Sequence, residues 1–360
     1  MSEAISLPAI VGLAALVLQA AAADQAVPAA RPGLLFFRND KGETRPVTTV
    51  ADWQQRRRAI LAAMQQVMGP LPDGKRCPLD PQTAGETDCG TYIRRELTYA
   101  SEPGSRTSAF LLIPKKQLAT GAEPAPAVLC LHPTNAAGYK TVVGLAGPES
   151  RHYGAELAER GFVVLAPSYP LLGDYRPDLV KLGYVSGSMK AIWDNMRGLD
   201  LLESLPYVRR GSFGAIGHSL GGHNSVFTAA FDERLKAVVS SCGLDSFLDY
   251  MGGDITGWTS ERYMPRLAAY RGRVREVPFD FDEVLAALAP RAVFLSAPRG
   301  DTNFRWQSVD RIAAAAREVF VLHGAADACV VEHPDCAHDF PDAMREKAYA
   351  FLARALSAKP

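Results

Sequence analysis

The chain has 360 residues, 48% of them hydrophobic, and its 39 basic and 39 acidic side chains cancel to a formal charge of zero. A chain of this length can bury one large core, or a core domain that carries an insertion. Because the charge is balanced, the composition offers no electrostatic reason to expect nucleic acid as a partner.

An apolar, uncharged segment runs from Ile5 to Ala23. The alanines that end it resemble a signal-peptide cleavage site, so residues 1–23 are predicted to be a signal peptide of a periplasmic or secreted protein. Glu3, with no Lys or Arg beside it, departs from that pattern; a retained membrane anchor and a wrongly chosen start codon are the alternatives. No other apolar run is long enough to span a bilayer, so no stable membrane association is expected after cleavage.

Residues 24–125 are predicted to form an N-terminal extension and the first strands. Residues 51–68 have the apolar spacing of a helix. A loop rich in Pro, Gly and Asp follows to about Gly90. Two strand-like runs, 92–99 and 108–114, then flank the turn sequence Glu-Pro-Gly-Ser.

Residues 126–360 alternate between strand-like and helical patterns. We predict strands over 127–132, 162–167, 212–217, 237–241, 292–297 and 319–322, and helices over 149–160, 186–205, 219–231, 308–316 and 342–356. This alternation predicts an α/β fold with a mainly parallel sheet and helices on both faces. Residues 243–280 interrupt the rhythm without a clear period, which is typical of a lid-like insertion.

Six cysteines are present, and two pairs of them are close in sequence. In an exported protein, Cys77/Cys89 and Cys329/Cys336 could each form a disulfide. Cys130 and Cys242 lie at the ends of apolar strand-like runs and are expected to be buried as small hydrophobic residues. The cysteine spacing does not resemble a zinc site.

The sequence from Gly217 to Gly221 matches the pattern G-x-S-x-G, with Ser219 at its centre. A predicted strand precedes it and a predicted helix follows, which is the setting that a nucleophile elbow requires. The glycines keep the sharp turn free of side chains. We therefore predict Ser219 as a catalytic nucleophile.

A serine nucleophile needs a histidine base, and this base needs an orienting acid. His338 is the best base, because its loop precedes the final helix. His323 and His333 lie in or beside strand-like sequence, and His218 and His223 adjoin the elbow too closely.

Two aspartates are candidates for the acid, Asp301 and Asp327. The acid of this arrangement normally ends one strand, with a helix and a further strand before the histidine. The predicted elements at 308–316 and 319–322 fit between Asp301 and His338. Only ten residues separate Asp327 from the histidine, so spacing favours Asp301.

Two backbone amides should form the oxyanion hole. One is that of Leu220, directly after the nucleophile. The other should come from the loop His-Pro-Thr-Asn at 132–135. Because proline has no N–H group, Thr134 or Asn135 is the donor, and we prefer Thr134.

With these residues, the chain from about residue 127 to 356 resembles the α/β-hydrolase superfamily, and within it the dienelactone-hydrolase-like and acetyl-xylan-esterase-like bacterial hydrolases. The matching sequences lie at 217–224, 132–135, 300–301 and 336–340. The resemblance implies hydrolysis of an ester through an acyl-enzyme, without metal or other cofactor. It also suggests a small-molecule or polysaccharide-linked ester as substrate.

At two positions the chain differs from families that it resembles. Dienelactone hydrolases use a cysteine where this chain has Ser219, and glucuronoyl esterases carry an arginine where it has Leu220. The leading hypothesis is a serine carboxylic ester hydrolase acting on acyl or aryl esters of carbohydrates. The alternatives are a serine peptidase of the same fold and a non-catalytic binding protein. The candidates for shaping the substrate pocket are Trp193, Trp258, Arg262 and Tyr263.

Overall fold

The computed structural model describes residues 33–39, 41–73 and 76–357. The predicted signal peptide at 1–23 lies outside these residues. Within the described ranges, no helix has both the length and the apolar character needed to cross a membrane.

A nine-stranded sheet forms the centre of the molecule, and its strands lie in the order β11-β10-β9-β8-β6-β7-β5-β4-β3. A short antiparallel pair, β1 and β2, stands apart from it. The bounds are β1 Phe36–Arg38, β2 Thr44–Pro46, β3 Gln82–Asp88, β4 Tyr92–Glu102, β5 Ser105–Pro114, β6 Ala125–Leu131, β7 Val163–Pro167, β8 Val208–His218, β9 Leu235–Ser241, β10 Ala292–Ser296 and β11 Cys329–Glu332. Strands β6 to β11 pair in parallel, and β3 to β5 extend the sheet antiparallel.

Helices cover both faces of this sheet. Their bounds are α1 Val50–Met68, α2 Tyr153–Glu159, α3 Gly187–Ser204, α4 Leu220–Phe231, α5 Phe281–Ala286, α6 Trp306–Leu322 and α7 Asp342–Ser357. One buried cluster packs α1, α3, α4, α5 and α6 against the sheet, and a second packs α2 and α7. The predicted α/β class with a mainly parallel sheet is therefore confirmed.

The final predicted strand, 319–322, is wrong. These residues form the last turn of α6, and the strand that pairs with β10 is β11, at Cys329–Glu332. An apolar run of four residues does not distinguish a strand from a buried helix end. The first helix-ending residue after Ala316 is Gly324, which lies just past the helix in the left-handed region, with φ 70°.

Two other differences concern local breaks. The predicted helix at 149–160 is a 3₁₀ turn, Glu149–Arg151, followed by α2, with His152 between them. The predicted loop before Gly90 contains β3, whose residues are all exposed. An edge strand with a solvated outer face lacks the apolar alternation by which strands are recognised.

The segment 243–280 contains four 3₁₀ turns joined by irregular backbone, at Tyr250–Gly253, Ile255–Trp258, Pro265–Tyr270 and Val274–Glu276. It packs onto the core through buried side chains such as Trp258, Met264 and Leu267. Its role as a lid remains a prediction.

All six cysteines lie within the described residues and are free thiols. The two pairs that could have formed disulfides are therefore unbridged in this structure. Cys130 and Cys242 are buried, as predicted.

Candidate active site

Ser219 lies in the tight turn between β8 and α4, and its backbone adopts φ 55° and ψ −121°. Such a conformation is costly for a residue with a side chain and persists only when its surroundings enforce it. The amide of Ser219 donates to the carbonyl of Ser241, 2.7 Å away, which fixes the turn on the neighbouring strand β9. The turn thus holds the hydroxyl at the carboxyl end of the sheet, where ligands bind in open α/β folds.

Two glycines make this turn possible. A Cβ added to Gly217 would lie 2.1 Å from the carbonyl carbon of Gly221, and one added to Gly221 would lie 1.9 Å from the carbonyl oxygen of Leu131. Both clashes are with backbone atoms, which cannot rotate away. The glycines of the motif are therefore required by close backbone approach.

Gly221→Ala should destabilise the protein by about 3 kcal/mol or more, because the backbone must shift to admit the new methyl group. Denaturant unfolding of the variant measures this loss. Gly85→Ala is the matched control, since nothing lies within 4 Å of a Cβ at Gly85. Equal stability of the two variants would contradict the argument.

The loop after β11 brings His338 to the loop after β10. His338 Nδ1 lies 2.8 Å from Asp301 Oδ2. Because a carboxylate only accepts, Nδ1 carries the proton and Nε2 keeps a free lone pair. Backbone contacts join the two loops: the amide of Gly300 donates to the carbonyl of Cys336, and that of Arg299 to Pro334.

Asp301 is almost fully buried, with 1% of its side chain exposed. Burial alone would raise the pKa of this carboxyl. The hydrogen bond and charge of His338, with the amides of Asn303 and Phe304, outweigh burial and lower the pKa below its usual value. Asp301 is therefore a carboxylate near neutral pH and can hold an imidazolium.

The rival acid, Asp327, is fully exposed and approaches only Arg317, at 3.9 Å. It precedes β11, whereas His338 follows it. Since the strand lies between them, Asp327 is at the opposite end of the sheet from the histidine. Of the two candidate acids, Asp301 is therefore the one that contacts His338, although the strand used in the spacing argument was placed wrongly.

The other histidines have different partners. His333 lies 2.9 Å from Asp310, and His323 caps the end of α6. Nδ1 of His132 lies 2.8 Å from the Pro133 carbonyl, and its Nε2 accepts from the Tyr169 amide at 2.9 Å. His132 therefore holds the loop that carries the predicted oxyanion donor.

His223 is buried on α4 among aromatic rings, and its pKa is lowered by burial from 6.5 to about 3. Burial likewise lowers the pKa of His132 to about 4. Both rings stay neutral when folded but become protonated on unfolding below about pH 6.5, so the unfolded chain binds more protons there. Stability must therefore fall as the pH falls through this window.

His223→Leu should flatten this loss between about pH 6 and pH 4, by about 1.4 kcal/mol per pH unit, which corresponds to one proton. Urea unfolding of both proteins at several pH values measures the two slopes. Parallel curves would show that His223 takes no part in the acid sensitivity.

Leu220 and Thr134, the two predicted oxyanion donors, both line a cavity with Ser219. Leu220 is the first residue of α4, where helix N–H groups lack intrahelical acceptors. The hydroxyl of Thr134 is 2.7 Å from the hydroxyl of Tyr263. The Asn135 side chain accepts from the amide of Gly138 and from Thr141, which shapes the loop.

Two cavities meet at Ser219 and Thr134. The first, the aromatic cavity, has a volume of about 210 Å³. Its lining residues are Thr134, Ser219, Leu220, Tyr250, Gly257, Trp258, Tyr263, Asn303 and Phe304. The second, the polar cavity, has a volume of about 370 Å³ and is lined by Pro133, Thr134, Asn135, Ala137, Thr141, Gly147, Pro148, Arg151, His218, Ser219 and His338.

The pocket predictions are partly correct. Trp258 and Tyr263 line the aromatic cavity, whereas the Trp193 ring N–H donates to the Ser101 carbonyl and the Arg262 carbonyl accepts from the Tyr169 hydroxyl. Neither Trp193 nor Arg262 lines either cavity.

Arg151 is a site residue that sequence reasoning missed. It pairs with Asp339 and donates to the His338 carbonyl at 3.3 Å, so it braces the histidine loop from the polar cavity. Its sequence neighbourhood carries no motif. Tyr250, Asn303 and Phe304 were missed for the same reason.

One group among the described residues could be considered for a metal ion: His218, Cys242 and His338 offer ligand atoms within 4.8 Å of one another. Burial raises the pKa of the Cys242 thiol well above its usual range. His338 Nδ1 bonds Asp301, and the His218 and His338 rings lie 4.8 Å apart. His218 therefore packs against the proposed base on the side of the polar cavity.

No protein-family model matches the chain. YtaP of Bacillus subtilis (strain 168), whose hydrolase name is provisional, is 26% identical over 303 residues, which cover 80% of this chain and 96% of that protein. A solved glucuronoyl esterase from Solibacter usitatus aligns with a TM-score of 0.73 and 21% identity, covering 92% of this chain and 99% of that one. A CE15 glucuronoyl esterase from Teredinibacter turnerae T7901 aligns with a TM-score of 0.68 and 18% identity, covering 90% and 89%. The chain thus has the α/β-hydrolase fold, which confirms the fold expected from its motifs.

Proposed function

We propose that this α/β-hydrolase-fold chain is a serine carboxylic ester hydrolase, with Ser219 as nucleophile, His338 as base and Asp301 as orienting acid. The observation that carries the proposal is the convergence of these groups. The strained Ser219 opens into the same cavity as His338, and the far side of the imidazole is held by a buried carboxylate at 2.8 Å.

The proposed reaction has two halves. Ser219 Oγ attacks the ester carbonyl while His338 Nε2 takes the hydroxyl proton, and the carbonyl oxygen becomes an oxyanion facing the amides of Leu220 and Thr134. The tetrahedral intermediate collapses when His338 returns the proton to the leaving alcohol, which leaves an acyl-enzyme. Water, deprotonated by His338, then releases the acid and restores the serine.

The substrate class we propose is an acyl or aryl ester attached to a carbohydrate. The support is the naming of structural neighbours as glucuronoyl esterases. Leu220 argues against a glucuronoyl ester as the substrate, because glucuronoyl esterases carry an arginine at this position. The apolar side chain of Leu220 lines the aromatic cavity and can donate no hydrogen bond to the substrate.

We also propose that the protein works in the periplasm or outside the cell. This proposal rests on the apolar segment 5–23 with its terminal alanines. The N-terminal sequence of protein purified from its native envelope fraction tests it, and a start after about residue 23 is expected.

The reaction class is tested by comparing esters with amides of the same acyl group. We expect turnover of p-nitrophenyl acetate and no measurable turnover of p-nitroacetanilide, whose leaving group is poorer. Faster cleavage of peptide amides than of esters would favour a serine peptidase. Binding without turnover of either would favour a non-catalytic role.

A further inference from the structure

The two cavities at Ser219 differ in their access to the histidine. His338 lines the polar cavity and is not among the residues of the aromatic cavity. In the proposed reaction, the histidine must protonate the leaving oxygen, so it must lie within hydrogen-bond reach of that atom. The alcohol part of the ester therefore extends into the polar cavity, and the acyl part points the other way, into the aromatic cavity.

Three aromatic side chains that line the aromatic cavity, those of Tyr250, Trp258 and Phe304, contact one another. Ring centroids of Trp258 and Tyr250 lie 5.5 Å apart, and those of Tyr250 and Phe304 5.7 Å apart. The Trp258 and Phe304 rings are stacked, with 28° between their planes. A further ring placed against such walls finds offset-stacked and edge contacts at favourable distances.

The volume of the cavity and the charge of its lining further restrict which acyl groups can bind. Its volume of about 210 Å³ exceeds the roughly 150 Å³ of a dry cavity that holds benzene. Its lining includes no Lys, Arg, His, Asp or Glu. A carboxylate or other charged group placed there would be desolvated without a partner, which is strongly unfavourable.

A sugar ring as acyl group would need several hydrogen-bond partners at once. Two of the polar groups that line the cavity, the hydroxyls of Thr134 and Tyr263, are already bonded to each other at 2.7 Å. The Tyr250 hydroxyl, the Asn303 amide and the ring N–H of Trp258 also line the cavity, and this N–H is buried without a hydrogen-bond partner among the described residues. Because these groups are set among aromatic rings, they suit the one or two polar substituents of an aromatic acid better than the several hydroxyls of a pyranose.

We infer that the acyl group this protein accepts is an uncharged aromatic acid of one ring, of the benzoyl or cinnamoyl class, held in the aromatic cavity with the alcohol in the polar cavity. This inference rests on the proposed esterase function. It assigns Trp258 as a residue that determines acyl specificity.

The test uses p-nitrophenyl cinnamate, benzoate and acetate, because their shared leaving group isolates the acyl part. The kcat/KM of each ester is divided by the rate constant for its hydrolysis by hydroxide, which corrects for intrinsic reactivity. This corrected kcat/KM should be at least tenfold higher for the cinnamate and the benzoate than for the acetate. Trp258→Leu should lower that ratio at least tenfold. Trp306→Leu is the matched control, since Trp306 packs on His333 and lies outside both cavities, and its ratio should equal that of the wild type.

Boronic acids provide a second measurement that needs no variant, because they form tetrahedral adducts with a serine nucleophile and place their organic group in the acyl position. Phenylboronic acid should inhibit the wild type at least tenfold more tightly than methylboronic acid. Equal inhibition by the two boronic acids, or a higher corrected kcat/KM for the acetate than for the aromatic esters, overturns the assignment of the acyl group but leaves the esterase function intact. Absence of turnover for all three esters overturns the esterase function, and the inference with it.

Discussion

Ser219→Ala should lower kcat for p-nitrophenyl acetate by about 10⁴-fold to 10⁶-fold, because no nucleophile is left to form the acyl-enzyme. The fold should be retained. The turn around residue 219 is fixed by the hydrogen bond that the Ser219 amide donates to the Ser241 carbonyl, and it needs the close backbone approach at Gly217 and Gly221; neither feature involves the hydroxyl. A steady-state assay and a thermal unfolding curve measure the two parts of this prediction.

Ser357→Ala is the matched control for the serine substitution, because this exposed hydroxyl on the last helix donates to the Ala353 carbonyl of its own helix and lines neither cavity. Its activity should equal that of the wild type. If the Ser219 variant keeps more than about a tenth of the activity, Ser219 is not the nucleophile. If the same variant also loses much of its stability, misfolding can explain its loss of activity. Covalent labelling of the wild type then tests Ser219 without a variant.

Asp301→Asn should lower kcat by about 10³-fold to 10⁴-fold at neutral pH. The amide has no charge to stabilise the imidazolium, and its NH₂ group can hold His338 in the tautomer with the proton on Nε2, where a lone pair is needed. The 2.8 Å contact and the 1% exposure of the aspartate make it a direct and well-shielded partner. The assay is the same ester turnover.

Asp327→Asn provides the comparison for the acid. Its side chain is fully exposed and lies before β11, so the variant should match the wild type in both activity and stability. Equal activity of the Asp301 variant and the wild type, with a loss for Asp327, would reassign the acid.

The elements of the core were predictable because their patterns are local. The strands of the parallel sheet are short apolar runs bounded by loops, and the elbow combines a strand, two glycines and a helix within residues 212–231. Ser219 could be predicted for this reason. Its strained backbone and the contact of Gly221 with Leu131 O depend on the neighbouring strand, and only the structure provides them.

The misplaced last strand shows the limit of local patterns. Val319 and Phe320 are buried against the core as part of a helix, while the true strand, Cys329–Glu332, is only half-buried at the sheet edge. The more apolar segment therefore resembled the strand more closely. Asp301 precedes both candidate strands, so a strand still lies between Asp301 and His338 as the spacing argument required.

The walls of the cavities could not be predicted, since their residues are far apart in the sequence and follow no period. Arg151, Tyr250 and Phe304 come from three separate connecting segments, and they line the two cavities at Ser219 only because of the tertiary fold. Trp258 and Tyr263 were candidates only as aromatic residues in an irregular segment. They lie close to Ser219 only in the folded protein, and the local sequence does not indicate this.

Covalent labelling tests the proposed nucleophile most directly. A fluorophosphonate reacts with an activated serine and leaves a phosphonyl group on it, which intact-mass and peptide analysis detect. We predict one adduct per chain, on the peptide that contains Ser219, and none in the Ser219→Ala variant. Failure of the folded wild type to react, or an adduct on another residue, would contradict the assignment of Ser219 as the nucleophile.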